Sequence, residues 1–141
     1  MHLADVIAIL DAGAKIVGVV IEPHGFVWAL GKTHAGHPGN AARGAFAKGD
    51  RQLELGFRWS LGPVTYRIGA VSVNHEALMK YAGHYSDAKY PGYSVDPLDA
   101  FRHLANDLRS FGDDFMFGNG ATIIAASRVP YVGGFGALPD F

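Results

Sequence analysis

Two arginines, Arg58 and Arg67, flank a Gly62-Pro63 pair inside a run of alternating apolar and polar residues. If the chain folds back at Gly62-Pro63, Arg58 lies opposite Arg67 and Gly56 lies opposite Gly69 on the same face. Like charges directly across a strand pair are destabilising, so this patch calls for a counter-charge. Glu54 on that face, or Asp99 or Asp107 from a helix packed against it, would supply one internally. A small external anion would supply one from solution, with the paired glycines allowing close approach. Arg58 and Arg67 are therefore the candidate anion-binding residues.

Histidines form the second group with chemistry available to them. His34 and His37 sit three apart in a glycine-rich stretch, with His24 and His84 in other turns. Neutral imidazoles are common metal ligands, and a small metal-dependent hydrolase would draw on His34, His37 and His84. A metal site also needs a third ligand held rigidly, and no matched motif supplies one, so no metal or cofactor is assigned. His103 lies four residues from both Asp99 and Asp107, and His75-Glu76 opens a helix. These are read as ordinary pairings along helix surfaces, which need no function. Gly25 followed by Gly31-Lys32-Thr33 resembles a phosphate loop only superficially. Five residues intervene where the motif needs four, and they are bulky and strand-like. Neither a Gly-x-Ser-x-Gly turn nor a His-Glu-x-x-His helix occurs, so no catalytic residue is assigned.

The third group is aromatic. Tyr81, Tyr85, Tyr90 and Tyr93 are interleaved with turn formers between two helical segments. Tyrosine offers large contact area at low entropic cost, which makes Tyr85, Tyr90 and Tyr93 the candidate protein-interaction residues.

The elements that must position these groups follow from periodicity. Leu3, Val6, Ile7 and Leu10 predict a short amphipathic helix near 3–12, stopped by Gly13. The β-branched run Ile16–Ile21 predicts a strand, with Phe26–Leu30 returning after the turn at Glu22-Pro23-His24-Gly25. Residues 31–49 have no usable period and predict a long loop. Gln52–Leu61 and Val64–Val73 predict a hairpin in which Trp59 faces Tyr66, Phe57 faces Ile68 and Leu55 faces Ala70. Asn74 caps a helix over 75–82. Asp96-Pro97-Leu98-Asp99 starts a longer helix, about 97–111. Its apolar stripe is Leu98, Phe101, Leu104, Ala105, Leu108 and Phe111, with Arg102, His103, Asn106, Asp107 and Arg109 on the polar face. Residues 113–117 suit a further helical turn, 121–126 either a strand or a helix, and the glycine-rich tail loose order.

The expected architecture is one α+β domain over residues 1–141. Its core is an antiparallel sheet of four to five strands, with the 97–111 helix packed on one face. At 141 residues, 49% hydrophobic and 18% charged, the chain is long and apolar enough to bury a core and is not intrinsically disordered. A net charge of −1, with scattered cations, argues against nucleic acid or an acidic membrane as partner. No apolar run approaches a membrane span, and Asp5 with no preceding cation argues against a secretory leader. The absence of cysteine excludes disulfides and thiolate chemistry and fits a reducing cytoplasm. Function is accordingly expected to be a non-catalytic protein-interaction or regulatory module of the immunity or adaptor kind, with a protein partner. The alternatives are a binder of a small anion through Arg58 and Arg67, and the metal-dependent hydrolase.

Overall fold

The computed structural model describes residues 1–84 and 95–130. It opens with a 19-residue helix, α1 (Leu3–Ile21), followed by a short 3₁₀ turn over Glu22–His24. Five strands come next: β1 (Val27–His34), β2 (Ala41–Lys48), β3 (Arg51–Phe57), β4 (Leu61–Ile68) and β5 (Val71–Asn74). Four helices complete the order: α2 (His75–Tyr81), α3 (Asp99–Phe111), α4 (Asp113–Met116) and α5 (Ala121–Ser127). The strands form one antiparallel sheet in simple sequence order, β1-β2-β3-β4-β5. This is the expected α+β class. The helices gather on one face of the sheet. The other face carries Gln52, Glu54, Thr65, Arg67 and Ser72, all partly or fully exposed, which is normal for antiparallel sheets.

The first correction concerns α1. The expected helix near 3–12 and strand over Ile16–Ile21 are one continuous helix, and Gly13 is not its stop. Val6, Leu10, Val17, Val20 and Ile21 recur at helical spacing and are buried, so the β-branched run serves the helix's inner face. Tertiary burial overrides the modest strand preference of valine and isoleucine. Gly13 has a packing role instead. A Cβ built there would overlap the ring of Phe101, so the glycine lets α3 seat its phenylalanine directly on the backbone of α1.

The second correction concerns residues 31–49. Most of this span is strand: the end of β1 and all of β2. Alanine and glycine are poor strand formers alone, which hid the element. Here they are needed because space is short. The indole of Trp28 lies over Gly44, where a Cβ would overlap it, and packs against Phe46 with ring centroids 5.0 Å apart. The Trp28 Nε1–H donates to Asp11 Oδ1 at 3.1 Å, tying β1 to α1.

The third correction is the hairpin's register. β3 and β4 do pair, but the turn is Arg58–Ser60 rather than Gly62-Pro63. Leu53 faces Tyr66, Leu55 faces Val64 and Phe57 faces Leu61, with an irregularity that absorbs Gly62-Pro63. Trp59 is therefore not a core residue facing Tyr66 but is 61% exposed at the tip. A second two-residue turn at Gly69-Ala70, with Gly69 at φ +59°, divides the expected long strand into β4 and β5.

The remaining elements follow the chemistry of their ends. Asn74 Oδ1 accepts from the Ala77 amide at 2.7 Å and caps α2 as expected. Asp96 Oδ1 accepts from the Leu98 amide, and α3 begins at Asp99. Phe101, Leu104, Ala105 and Leu108 are buried against α1 and the sheet, and the Phe101 ring stacks on Phe57 at 6.2 Å. Residues 121–127 are helical. Asp107 departs from the expected polar face: it is buried, with its carboxylate on His75.

Candidate functional site

Two polar constellations stand out, one in the core and one at the end of the sheet. In the core, the Tyr66 hydroxyl lies 2.7 Å from His75 Nδ1, and His75 Nε2 lies 2.9 Å from Asp107 Oδ2. The three side chains come from β4, α2 and α3. With Nε2–H donating to the carboxylate, Nδ1 is left to accept from the phenol, so both imidazole nitrogens are satisfied. Tyr66 and His75 are each 1% exposed and Asp107 is 7% exposed. Phe115 meets Tyr66 edge-on at 5.0 Å and closes the relay from α4. No substrate reaches a hydroxyl so enclosed. The relay is a buried polar clasp that fixes α2 and α3 to the sheet.

Burial, and secondarily the Asp107 charge, push the Tyr66 phenol far above its ordinary pKa of 10.0. The folded protein therefore holds this proton at pH values where the unfolded chain has lost it. Stability from this source is complete below about pH 10 and declines as pH rises further, by up to about 1.4 kcal/mol per pH unit. Tyr66→Phe is expected to remove this component of the alkaline decline. Urea unfolding at pH 8, 10 and 11 checks this, and an unchanged slope in the variant contradicts it.

The second constellation is a cleft of about 440 Å³ lined by residues from three places in the chain. Met1 precedes α1 and Val6 lies near its start, residues 36–40 belong to the β1–β2 connection, and Arg58 and Trp59 to the β3–β4 turn. Local hydrogen bonds shape the wall. The Gly36 amide donates to Asn40 Oδ1 at 2.8 Å, and Asn40 Nδ2 donates to the Met1 carbonyl at 2.9 Å. His34 Nε2 contacts the His37 carbonyl at 3.0 Å. Gly39 lies against the Trp59 indole so closely that a Cβ there would come within 3.1 Å of it. The Arg58 guanidinium sits 5.7 Å from the centroid of the Trp59 ring, a cation–π distance, and Arg58 is only 6% exposed. Among the described residues the lining thus offers one guanidinium, one imidazole, one carboxamide and an indole, and includes no carboxylate.

The expected arginine pair is not assembled. Arg67 faces Gln52 across the ladder and is ion-paired with Glu54, the internal partner named among its candidates. Arg58 lies six residues along from Gln52, roughly 20 Å at the rise of a β-strand, so one small anion does not bridge the two arginines. Of the histidines, His34 and His37 stay together near the cleft, while His84 stacks on Phe111 at 4.1 Å and His24 meets Phe117 at a tilt, 4.7 Å between centroids. Among the described residues no group of three or more His, Cys, Asp or Glu could hold a metal ion. Asp99 pairs with Arg102 rather than His103, and Arg102 also holds Asp96 at 2.8 Å. That bond, with the Leu98 amide, keeps the Asp96 carboxyl below its ordinary pKa. Tyr85, Tyr90 and Tyr93 lie outside the described residues. Among the described residues, no helix is long and apolar enough to cross a membrane.

Sequence reasoning missed the contributions of Trp59, Asn40 and the 36–40 loop to this cleft. The available signal was the density of Gly and Pro around His37, which marks a loop shaped for close approach. Comparisons with protein-family models, with curated proteins and with solved structures all return no match for this chain.

Proposed function

We propose that the chain is a non-catalytic cytosolic binding module whose cleft at Arg58 takes a small organic anion of the carboxylate or phosphate class. The observation that carries this reading is the makeup of the cleft wall: a largely buried guanidinium beside an indole, with an imidazole and a carboxamide. A guanidinium, an imidazole and a carboxamide can each donate to an anion, and partial burial strengthens each charge-assisted hydrogen bond. The volume falls within the range of small-molecule sites. Trp59 offers an exposed ring on which a planar part of the ligand can lie. The lack of cysteine supports the cytosolic assignment.

Calorimetric titration with inorganic phosphate and short carboxylates tests the proposal. Saturable binding is expected, weakened about ten- to a hundred-fold by Arg58→Gln, the equivalent of losing one charge-assisted hydrogen bond. Arg67→Gln, at the distant end of the ladder, is expected to leave affinity unchanged. Equal binding in the Arg58 variant, or none in the parent protein, removes the proposal.

A further inference from the structure

The two edges of the sheet are protected very differently. β5 is four residues long, and α5 packs against it. β1 is eight residues long and mostly exposed, with Val27 at 69% and Leu30 at 41%. Exposed edge strands usually carry a charge, a proline or a bulge that discourages pairing with another chain. β1 has its protection in one half only: Lys32, and a register shift between Leu30 and Thr33. The Val27–Leu30 half is uncharged, free of proline and in regular register with β2.

We propose that this half of β1 is a homodimer interface, in which two copies pair antiparallel and extend the five-stranded sheet to a shared sheet of ten strands. A twofold axis normal to the sheet must bring together residues on the same face, which restricts the choices. An axis at Trp28 sets two indoles against each other. An axis at Leu30 draws the shifted segment into the ladder. An axis at Ala29 places Trp28 opposite Leu30 and Val27 opposite Gly31, so each large apolar side chain meets an apolar or vacant neighbour. Lys32 then falls beyond the paired core, and no like charges oppose each other. The edge therefore fits a second copy of itself, through backbone hydrogen bonds reinforced by Val27 and Leu30.

Sedimentation equilibrium over a hundred-fold concentration range tests this, with circular dichroism confirming that each variant is folded. The parent protein is expected to double in mass with concentration. Leu30→Lys, at a position already exposed, is expected to raise the dimer dissociation constant at least ten-fold. Val19→Lys, at an exposed site on α1, is expected to leave it unchanged. A strictly monomeric parent, or a dimer equally tight in folded Leu30→Lys, overturns the proposal. Binding of phosphate at the Arg58 cleft is measured separately and is independent of either result.

Discussion

Replacing His75 with alanine is expected to lower the unfolding free energy by about 3–5 kcal/mol, the usual cost of removing one member of a buried pair. His75 is the middle of the clasp, so its loss strands two groups at once: a carboxylate 7% exposed and a phenol 1% exposed. Each must then take a water into the space the imidazole leaves or stay unpaired. Domain stabilities run to about 5–15 kcal/mol, so a large share of the total is at risk. The two ends of the clasp should cost less. Asp107→Ala leaves one buried donor without its acceptor, about 2–3 kcal/mol, and Tyr66→Phe removes one neutral hydrogen bond, about 1 kcal/mol. Urea unfolding of the three variants checks the order His75, Asp107, Tyr66. A His75→Ala loss below about 1 kcal/mol would mean the clasp contributes little, whatever its geometry.

Phe101→Ala is expected to cost a similar about 3–5 kcal/mol, because the ring is fully buried and stands between α1 and the sheet. Its contact with Gly13 makes a sharper forecast possible. Alanine is the better helix former by about 1 kcal/mol, so Gly13→Ala would stabilise an isolated α1. In the folded protein the new methyl overlaps the Phe101 ring, and overpacking of this kind costs about 1–3 kcal/mol, so the net effect is destabilising. In a Phe101→Ala background the overlap disappears and the sign should reverse. A double-mutant cycle in thermal or urea unfolding reads this reversal directly. If Gly13→Ala stabilises the parent protein, α3 does not bear on α1 as described.

These two cases also show which parts of the fold are readable from residue types and which are not. The α3 stripe and the Asn74 cap depend on neighbours a few positions away, and both are where the pattern puts them. Gly13 is read as a stop because local rules cannot know that a phenylalanine 88 positions later needs the space. The Ala- and Gly-rich β2 is invisible to strand propensity for the same reason: Trp28 dictates small residues there. The hairpin error comes from trusting Gly62-Pro63 as a turn when the chain reverses at Arg58-Trp59-Ser60, where only Ser60 is a turn former. Register then shifts, and with it the partners expected for Arg58 and Arg67. Arg58 was identifiable as an anion-binding candidate, but its companions in the cleft arrive through loop closure and α1, which no spacing rule encodes. The clasp joins residues 66, 75 and 107, and nothing in the sequence connects them.

Anion binding at the Arg58 cleft is read most directly in a two-dimensional amide spectrum of the protein titrated with phosphate at constant ionic strength. Saturable shifts of the Trp59 indole N–H and the Gly39 amide, both at the cleft wall, are expected, and their loss in Arg58→Gln. Shifts centred instead on Arg67 and Glu54, or no saturable change at the cleft, would contradict it.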